Sequence, residues 1–177
     1  MDIPKKIDIP AAWFGEDMAA NPHLWIYDLS PKDIDELSTA AGKFISSGKP
    51  LGNITPADFK LPSFSEFLAS MQDELRNGIG FKLIRGLPTA DYSAQTCATI
   101  FCGIGSYLGS ARSQNAAGHL LGHVRDIGAD VSDPKSRIYQ TTARQSFHTD
   151  SCDVVGLLCL TEAMEGGDSM LASSVTA

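Results

Sequence analysis

The chain has 177 residues, of which 43% are hydrophobic and 20% charged, with a formal net charge of -7 at pH 7 and a pI near 4.9. This composition is typical of a single soluble globular domain. The acidity argues against nucleic acid or an anionic membrane surface as a partner, because binding either requires concentrated Lys and Arg. No apolar stretch approaches the length that crosses a bilayer, and the N-terminus lacks the apolar segment of a signal peptide. We therefore expect a cytoplasmic protein.

Two capped helices are predicted in the first part of the chain. The segment "SPKDIDELSTAAGKFISSG" (residues 30–48) begins with Ser30, a typical N-cap residue, and continues with apolar residues at helical spacing. The segment "SFSEFLASMQDELRNG" (residues 63–78) begins with Ser63 and has Glu66 three residues later, which is the pattern of a capping box. The acidic residues of both segments are explained by capping and by a solvated face, so they need no catalytic role.

A short strand, a third helix and a long loop follow. "GFKLIRGLP" (residues 80–88) is predicted as a strand between glycines, and "DYSAQTCATIFCGIGSYLG" (residues 91–109) as a helix ending at Gly109. Residues 110–137 are rich in Gly, Ser, Asn and Asp and are too long for an ordinary connector. Loops of this kind often carry functional residues. Short strands are predicted from Arg137 onward.

A His and an Asp lie one residue apart at the head of the apolar segment "SFHTDSCDVVGLLCL" (residues 146–160). Side chains alternate along a strand, so His148 and Asp150 are predicted to project from the same face. The two could form a hydrogen-bonded pair, which is the commoner situation for an isolated His-x-Asp. They could also be the first two ligands of a divalent metal, and Fe(II) held by two His and one carboxylate fits this pattern.

A rival metal site is suggested by "HLLGH", because His119 and His123 would share a face of a helix and could chelate zinc. The general-base Glu of the HExxH motif is absent, since Leu120 holds that position. Gly122 also weakens the helix. A zinc hydrolase is therefore the weaker hypothesis.

Downstream, "EAMEGGDSMLASS" (residues 162–174) is predicted to turn at Gly166 and Gly167 into another apolar strand. Ser169 lies on that strand and could present its hydroxyl inward. Taken alone, this segment is a hairpin turn with one polar residue.

The order of these segments, together with their residues, resembles the TauD/TfdA-like (taurine catabolism dioxygenase) family of Fe(II)- and 2-oxoglutarate-dependent dioxygenases. The resemblance runs from about Ile7 to Ser174, and its segments come in the family's order: "GFKLIRGLP", a helix ending "YLG", "QNAAGHLLGHVRDIG", "SFHTDSCDVVGLLCL" and "EGGDSMLASS". It implies hydroxylation or oxidative cleavage of a small organic substrate, with Fe(II), 2-oxoglutarate as co-substrate, and O2.

The resemblance also implies roles for individual residues. His148 and Asp150 match the first two iron ligands. Ser169 stands where similar proteins carry a Thr or Ser that hydrogen-bonds a carboxylate of 2-oxoglutarate. The residues that lie in segments lining the active-site mouth of similar proteins, and would contact substrate, are Gln114, Asn115 and Tyr139.

The fold implied is an α+β double-stranded β-helix, the jelly roll of the clavaminate synthase type, with helices outside it. Residues 1–177 would form one domain, with a helix-rich part over 1–110, an active-site loop over 110–137 and the start of the jelly-roll core over 138–177.

The family's second His ligand and the Arg that pairs with 2-oxoglutarate lie further downstream. No His follows Asp150 in this sequence, and no Lys or Arg follows Arg144. We therefore expect an N-terminal portion of a dioxygenase that ends after the first core strands and has little activity alone. The alternative is a non-catalytic fragment that acts as an interaction partner. Substrate identity and oligomeric state are left open.

Overall fold

The computed structural model describes residues 7–115, 118–130, 132 and 137–177. The chain divides into two compact units, one formed by the residues up to 111 together with 156–177, and the other by 112–155. Over the described residues, every helix is too short or too polar to traverse a bilayer.

The α-helices and β-strands of the described residues all belong to the first unit. In chain order they are α1 (Gly15–Ala20), β1 (Ile26–Asp28), α2 (Pro31–Ser46), α3 (Phe64–Asn77), β2 (Leu83–Arg85) and α4 (Ala94–Leu108). The two strands pair in parallel, with Ile26 opposite Leu83 and Asp28 opposite Arg85. α2 and α3 lie between them in the chain, as the crossover of a parallel pair requires.

The predicted start of α2 is confirmed. The Ser30 hydroxyl accepts a hydrogen bond from the Asp33 amide at 3.2 Å, and the Asp33 carboxylate accepts one from the Ser30 amide at 2.9 Å. The Tyr27 hydroxyl also donates to this carboxylate, at 3.0 Å. Asp33 is buried, so these donors replace the water that it loses.

The predicted capping box of α3 is wrong. Ser63 has helical backbone angles and its side chain caps no amide of its own helix. The carboxylate of Glu36, on α2, instead accepts from the Ser63 amide at 2.9 Å and the Phe64 amide at 3.0 Å. A carboxylate is a stronger acceptor than a hydroxyl and suits the positive end of a helix dipole. The interaction therefore joins two helices rather than closing one turn.

The core lies among α2, α3, α4 and the segment that leads into α3. Its buried apolar side chains are Leu37, Ala40, Ala41, Phe44, Phe59, Leu61, Phe64, Leu68, Met71 and Ile100. The Phe59 ring lies directly against α4, where a Cβ at Gly103 would come within 2.5 Å of it. Glycine at this position therefore allows the ring to approach the helix backbone.

The jelly-roll strands expected from the sequence over 138–177 are not seen. The described residues of this segment form one 3₁₀ turn, Ile138–Gln140, and otherwise no helix or strand. A strand requires a neighbour to pair its backbone groups. Within 142–172 no backbone amide donates to a backbone carbonyl of any residue that the structure describes. Apolar, β-branched composition alone is insufficient to form a strand there.

Candidate functional site

The structure brings His148 and Asp150 together in the second unit. Nε2 of His148 lies 3.8 Å from Oδ1 of Asp150, and the two side chains are 47% and 52% exposed. The segment that carries them is not a strand, so their proximity does not arise from the strand alternation that the sequence predicts. Both groups are open to solvent and to a ligand.

Two neighbouring residues determine which ring nitrogen of His148 carries the proton. Nδ1 lies 2.9 Å from the carbonyl oxygen of Ser146. A carbonyl can only accept a hydrogen bond, so Nδ1 is the protonated nitrogen and Nε2 keeps its lone pair. The side-chain amide nitrogen of Gln145 lies 3.1 Å from Nε2 and donates to it. Sequence reasoning missed Gln145, because a Gln three residues before a His is no recognised motif.

The donors present fit a divalent metal. An imidazole lone pair and a carboxylate are ligands that Fe(II) accepts. Two neighbouring ligands of a facial site, each about 2.1 Å from the metal, lie about 3.0 Å apart. The distance from Nε2 to Oδ1 is 3.8 Å, so the two side chains must approach each other slightly to share one ion. No group of three or more His, Cys, Asp or Glu within the described part of the chain is arranged to hold a metal ion. The pair therefore offers two donors to which a third must be added.

The predicted mouth residues Gln114 and Asn115 lie in an exposed loop that folds around His119. The Asn115 side-chain nitrogen is 2.9 Å from Nδ1 of His119, and the His119 amide donates to Oδ1 of Asn115 at 3.2 Å. The Gln114 amide donates to the His119 carbonyl. Residues 118–123 are not helical, so the one-turn spacing that the zinc hypothesis needs is not formed.

Tyr139 lies in the 3₁₀ turn and its side chain is exposed. Its carbonyl accepts from the Arg125 amide at 3.1 Å, and the Ile127 amide donates to the next carbonyl, that of Gln140, at 3.0 Å. These bonds hold the turn against the segment around residue 126 inside the second unit.

Ser169 belongs to the first unit and is exposed. It follows Gly166 and Gly167, whose φ angles of 68° and 78° suit the turn predicted for them. The segment after this turn is not a strand, so the inward orientation expected for the Ser169 hydroxyl stays a prediction.

Comparison with known proteins supplies the relationship. The family described as "Taurine catabolism dioxygenase TauD, TfdA family" matches residues 47–177. The chain is 30% identical over 177 residues to the "Taurine hydroxylase-like protein SAT17" of Stachybotrys chartarum, covering 96% of this chain and 46% of that protein. It is 29% identical over 152 residues to the "FR-33289 synthase" of Streptomyces rubellomurinus, covering 85% of this chain and 45% of that protein. The chain thus spans about half the length of these curated relatives. It belongs to the TauD/TfdA family of dioxygenases.

Proposed function

We propose that this chain supplies two iron ligands, His148 and Asp150, to an Fe(II)- and 2-oxoglutarate-dependent dioxygenase that hydroxylates or oxidatively cleaves a small organic substrate. Members of the family have a double-stranded β-helix fold and generally use Fe(II), 2-oxoglutarate and O2. The observation that carries the proposal is the 3.8 Å approach of His148 Nε2 to Asp150 Oδ1.

Each residue has a defined task in this proposal. His148 provides the Nε2 lone pair, and Asp150 provides an oxygen and one negative charge. Ser169 donates its hydroxyl to a carboxylate of 2-oxoglutarate. Gln114, Asn115 and Tyr139 orient the substrate by hydrogen bonding at the mouth. When bound, Fe(II) together with 2-oxoglutarate and O2 supplies the oxidising power that the side chains lack.

We further propose that the third iron ligand and the Arg for the distal carboxylate of 2-oxoglutarate come from residues outside these 177. The same residues would complete a jelly roll with the segment 138–177. Fe(II) binding by the two ligands alone is then weak. A cytoplasmic location and a small-molecule substrate stay predictions of the sequence.

Metal binding and succinate release test the proposal. We expect the 177-residue chain to bind Fe(II) or Co(II) weakly and to form little succinate from 2-oxoglutarate. His148→Ala and Asp150→Ala should lose the metal, whereas His119→Ala should keep it. Binding that survives His148→Ala would overturn the assigned site.

Sequencing the transcript beyond codon 177 tests the second part of the proposal. A continuing reading frame with a downstream His and Arg should give a protein that releases succinate readily and requires His148. Rapid succinate release by the 177 residues alone would contradict the need for added ligands.

A second candidate function is that of an interaction partner without catalysis. It is favoured by the exposed apolar side chains over 154–171, among them Leu157 at 74% and Leu171 at 65% exposed. Light scattering of the purified chain tests it. A monomer whose apolar segment stays accessible to protease would count against this function, and a defined complex without metal dependence would favour it.

A further inference from the structure

The nitrogen of His148 that faces Asp150 already has a partner. Nε2 accepts a hydrogen bond from the side-chain amide of Gln145 at 3.1 Å, and the same atom lies 3.8 Å from Oδ1 of Asp150. Gln145 is exposed, and its side-chain amide reaches the His148 ring from outside the core. The amide therefore occupies the position from which His148 would bind a metal.

A neutral imidazole has one lone pair, and here it is on Nε2 because Nδ1 donates its proton to the Ser146 carbonyl at 2.9 Å. That lone pair cannot bind a cation while it accepts the Gln145 hydrogen bond. We propose that the Gln145 amide competes with the metal for Nε2 of His148, so that Gln145 must swing away when the metal binds. This inference rests on the proposed function, because it concerns the same site.

The two contacts on the ring have different consequences. The Ser146 carbonyl selects the tautomer that a metal needs, since it keeps the proton on Nδ1. The Gln145 amide stabilises that tautomer in the metal-free protein but opposes binding. Gln145 is thus a positioning residue that lowers metal affinity and maintains the ring orientation until a metal arrives. Removing its side chain should leave the Ser146 contact in place.

Metal titration measures the competition. A hydrogen bond between neutral groups is equivalent to about a two- to ten-fold change in an equilibrium constant, and at this exposed site water competes for both groups. We therefore expect Gln145→Ala to bind Co(II) about two- to five-fold more tightly than the wild-type chain, measured by calorimetry. Co(II) is a suitable probe because it follows Fe(II) in the order of divalent metal affinities. The matched control is Gln95→Ala, an exposed position in the first turn of α4, and it should bind as the wild type does.

Nitrogen NMR of the metal-free chain reports the chemical shift of Nε2 of His148, which responds to the hydrogen bond from Gln145 and not to a general structural role of that residue. We expect the proton of His148 on Nδ1 in both the wild type and Gln145→Ala, with the Nε2 resonance shifted in the variant because it loses its donor. Zn(II), which is diamagnetic, should shift the same Nε2 resonance in the opposite direction, because the metal engages the lone pair that Gln145→Ala leaves without its donor.

The outcomes separate this inference from the proposed function. Equal or weaker Co(II) binding by Gln145→Ala, in a chain whose binding is lost in His148→Ala, overturns the competition alone. A proton on Nε2 in the wild type also overturns it. Absence of any His148-dependent binding in all variants overturns the proposed function and the competition with it.

Discussion

Asp33 illustrates how single residues of this chain keep a charge below the surface. Burial alone would raise the pKa of its carboxyl, but hydrogen bonds from the Ser30 hydroxyl and amide and from the Tyr27 hydroxyl hold that pKa below its ordinary value. Since the folded state favours the charged form, the interaction stabilises the fold above the carboxyl pKa of the unfolded chain. The stabilisation is lost as the pH falls through the lower folded pKa.

The substitution Asp33→Asn tests this account. At pH 7 we expect the free energy of unfolding to fall by about 1 kcal/mol, because the charge that accepts three donors is lost. As the pH falls below the carboxyl pKa of the unfolded chain and through the lower pKa of folded Asp33, the difference between the variant and the wild type should shrink, because the wild-type carboxyl becomes protonated. Urea titrations at several pH values measure it. The control is Asp35→Asn, at an exposed position of the same helix. A difference in the free energy of unfolding between Asp33→Asn and the wild type that stays constant with pH would contradict the prediction.

At the scale of the elements, the three long helices are held by contacts whose partners are far apart in sequence. The Phe59 ring is fully buried against Gly103 of α4. Tyr107, one turn further along α4, donates its hydroxyl to the Phe59 carbonyl at 2.8 Å. The segment that leads into α3 is therefore fixed to α4 by both packing and hydrogen bonding.

Two glycines of α4 should respond in opposite directions to alanine. A Cβ at Gly103 would lie 2.5 Å from the Phe59 ring, whereas nothing lies within 4 Å of one at Gly105. We expect Gly105→Ala to raise the free energy of unfolding by about 0.5–1 kcal/mol through helix propensity. Gly103→Ala should lower it by about 1–2 kcal/mol, because overpacking outweighs the same gain. Chemical denaturation of the two variants measures this, and equal stabilisation by both would contradict the packing of Phe59.

The start of α3 allows the local and the long-range cap to be compared directly. The sequence pattern predicts that the Glu66 side chain accepts from the Ser63 amide. In the structure the Glu36 carboxylate accepts from the Ser63 and Phe64 amides instead. Hydrogen bonds from Ser63 and Phe64 hold the pKa of the Glu36 carboxyl below its ordinary value, although burial alone would raise it. We expect Glu36→Gln to cost about 1–2 kcal/mol of stability and Glu66→Gln less than about 0.5 kcal/mol, measured by urea denaturation. A larger loss of stability in Glu66→Gln than in Glu36→Gln would instead support the predicted capping box.

The comparison of these helices with the sequence shows which features are local. The N-cap Ser30 and the end of α4 at Gly109 lie where the sequence predicts, because a cap depends on residues three or four apart. Glu36 could not be predicted as the cap of α3, since it lies 27 residues from Ser63. For the same reason the strands predicted after Arg137 are not confirmed, because strand pairing depends on a distant neighbour.

At the scale of the whole molecule, the same distinction applies to the site. The sequence predicts that His148 and Asp150 lie together on one face of a strand, and the structure places them 3.8 Å apart in a segment that is not a strand. The hydrogen bond from Gln145 depends on the course of the backbone, and the orientation of Ser169 depends on a sheet that the described residues do not form.

The last residues of the chain pack against residues 11–13 of the same unit. The buried Ser173 hydroxyl donates to the Ala11 carbonyl, and the Thr176 hydroxyl donates to the Trp13 carbonyl at 2.9 Å. These partners are 162 and 163 residues apart in the sequence, so the two bonds join residues 11–13 to the last residues of the chain. Trp13 in turn packs against Phe81, with ring centroids 5.1 Å apart.

Loss of the hydrogen bond from Ser173 to Ala11 should be visible in the fluorescence of Trp13. We expect Ser173→Ala to lower the free energy of unfolding by about 1 kcal/mol, because the Ala11 carbonyl loses its donor inside the packed segment. Loosening should also shift Trp13 emission toward that of a solvent-exposed indole, measured with Trp25→Phe so that one tryptophan reports. Ser174→Ala, at an exposed neighbouring position, is the control and should change neither quantity. If Ser173→Ala and Ser174→Ala behave alike, the contact between the two ends does not contribute to stability, and segment 173–177 is held by its apolar neighbours alone.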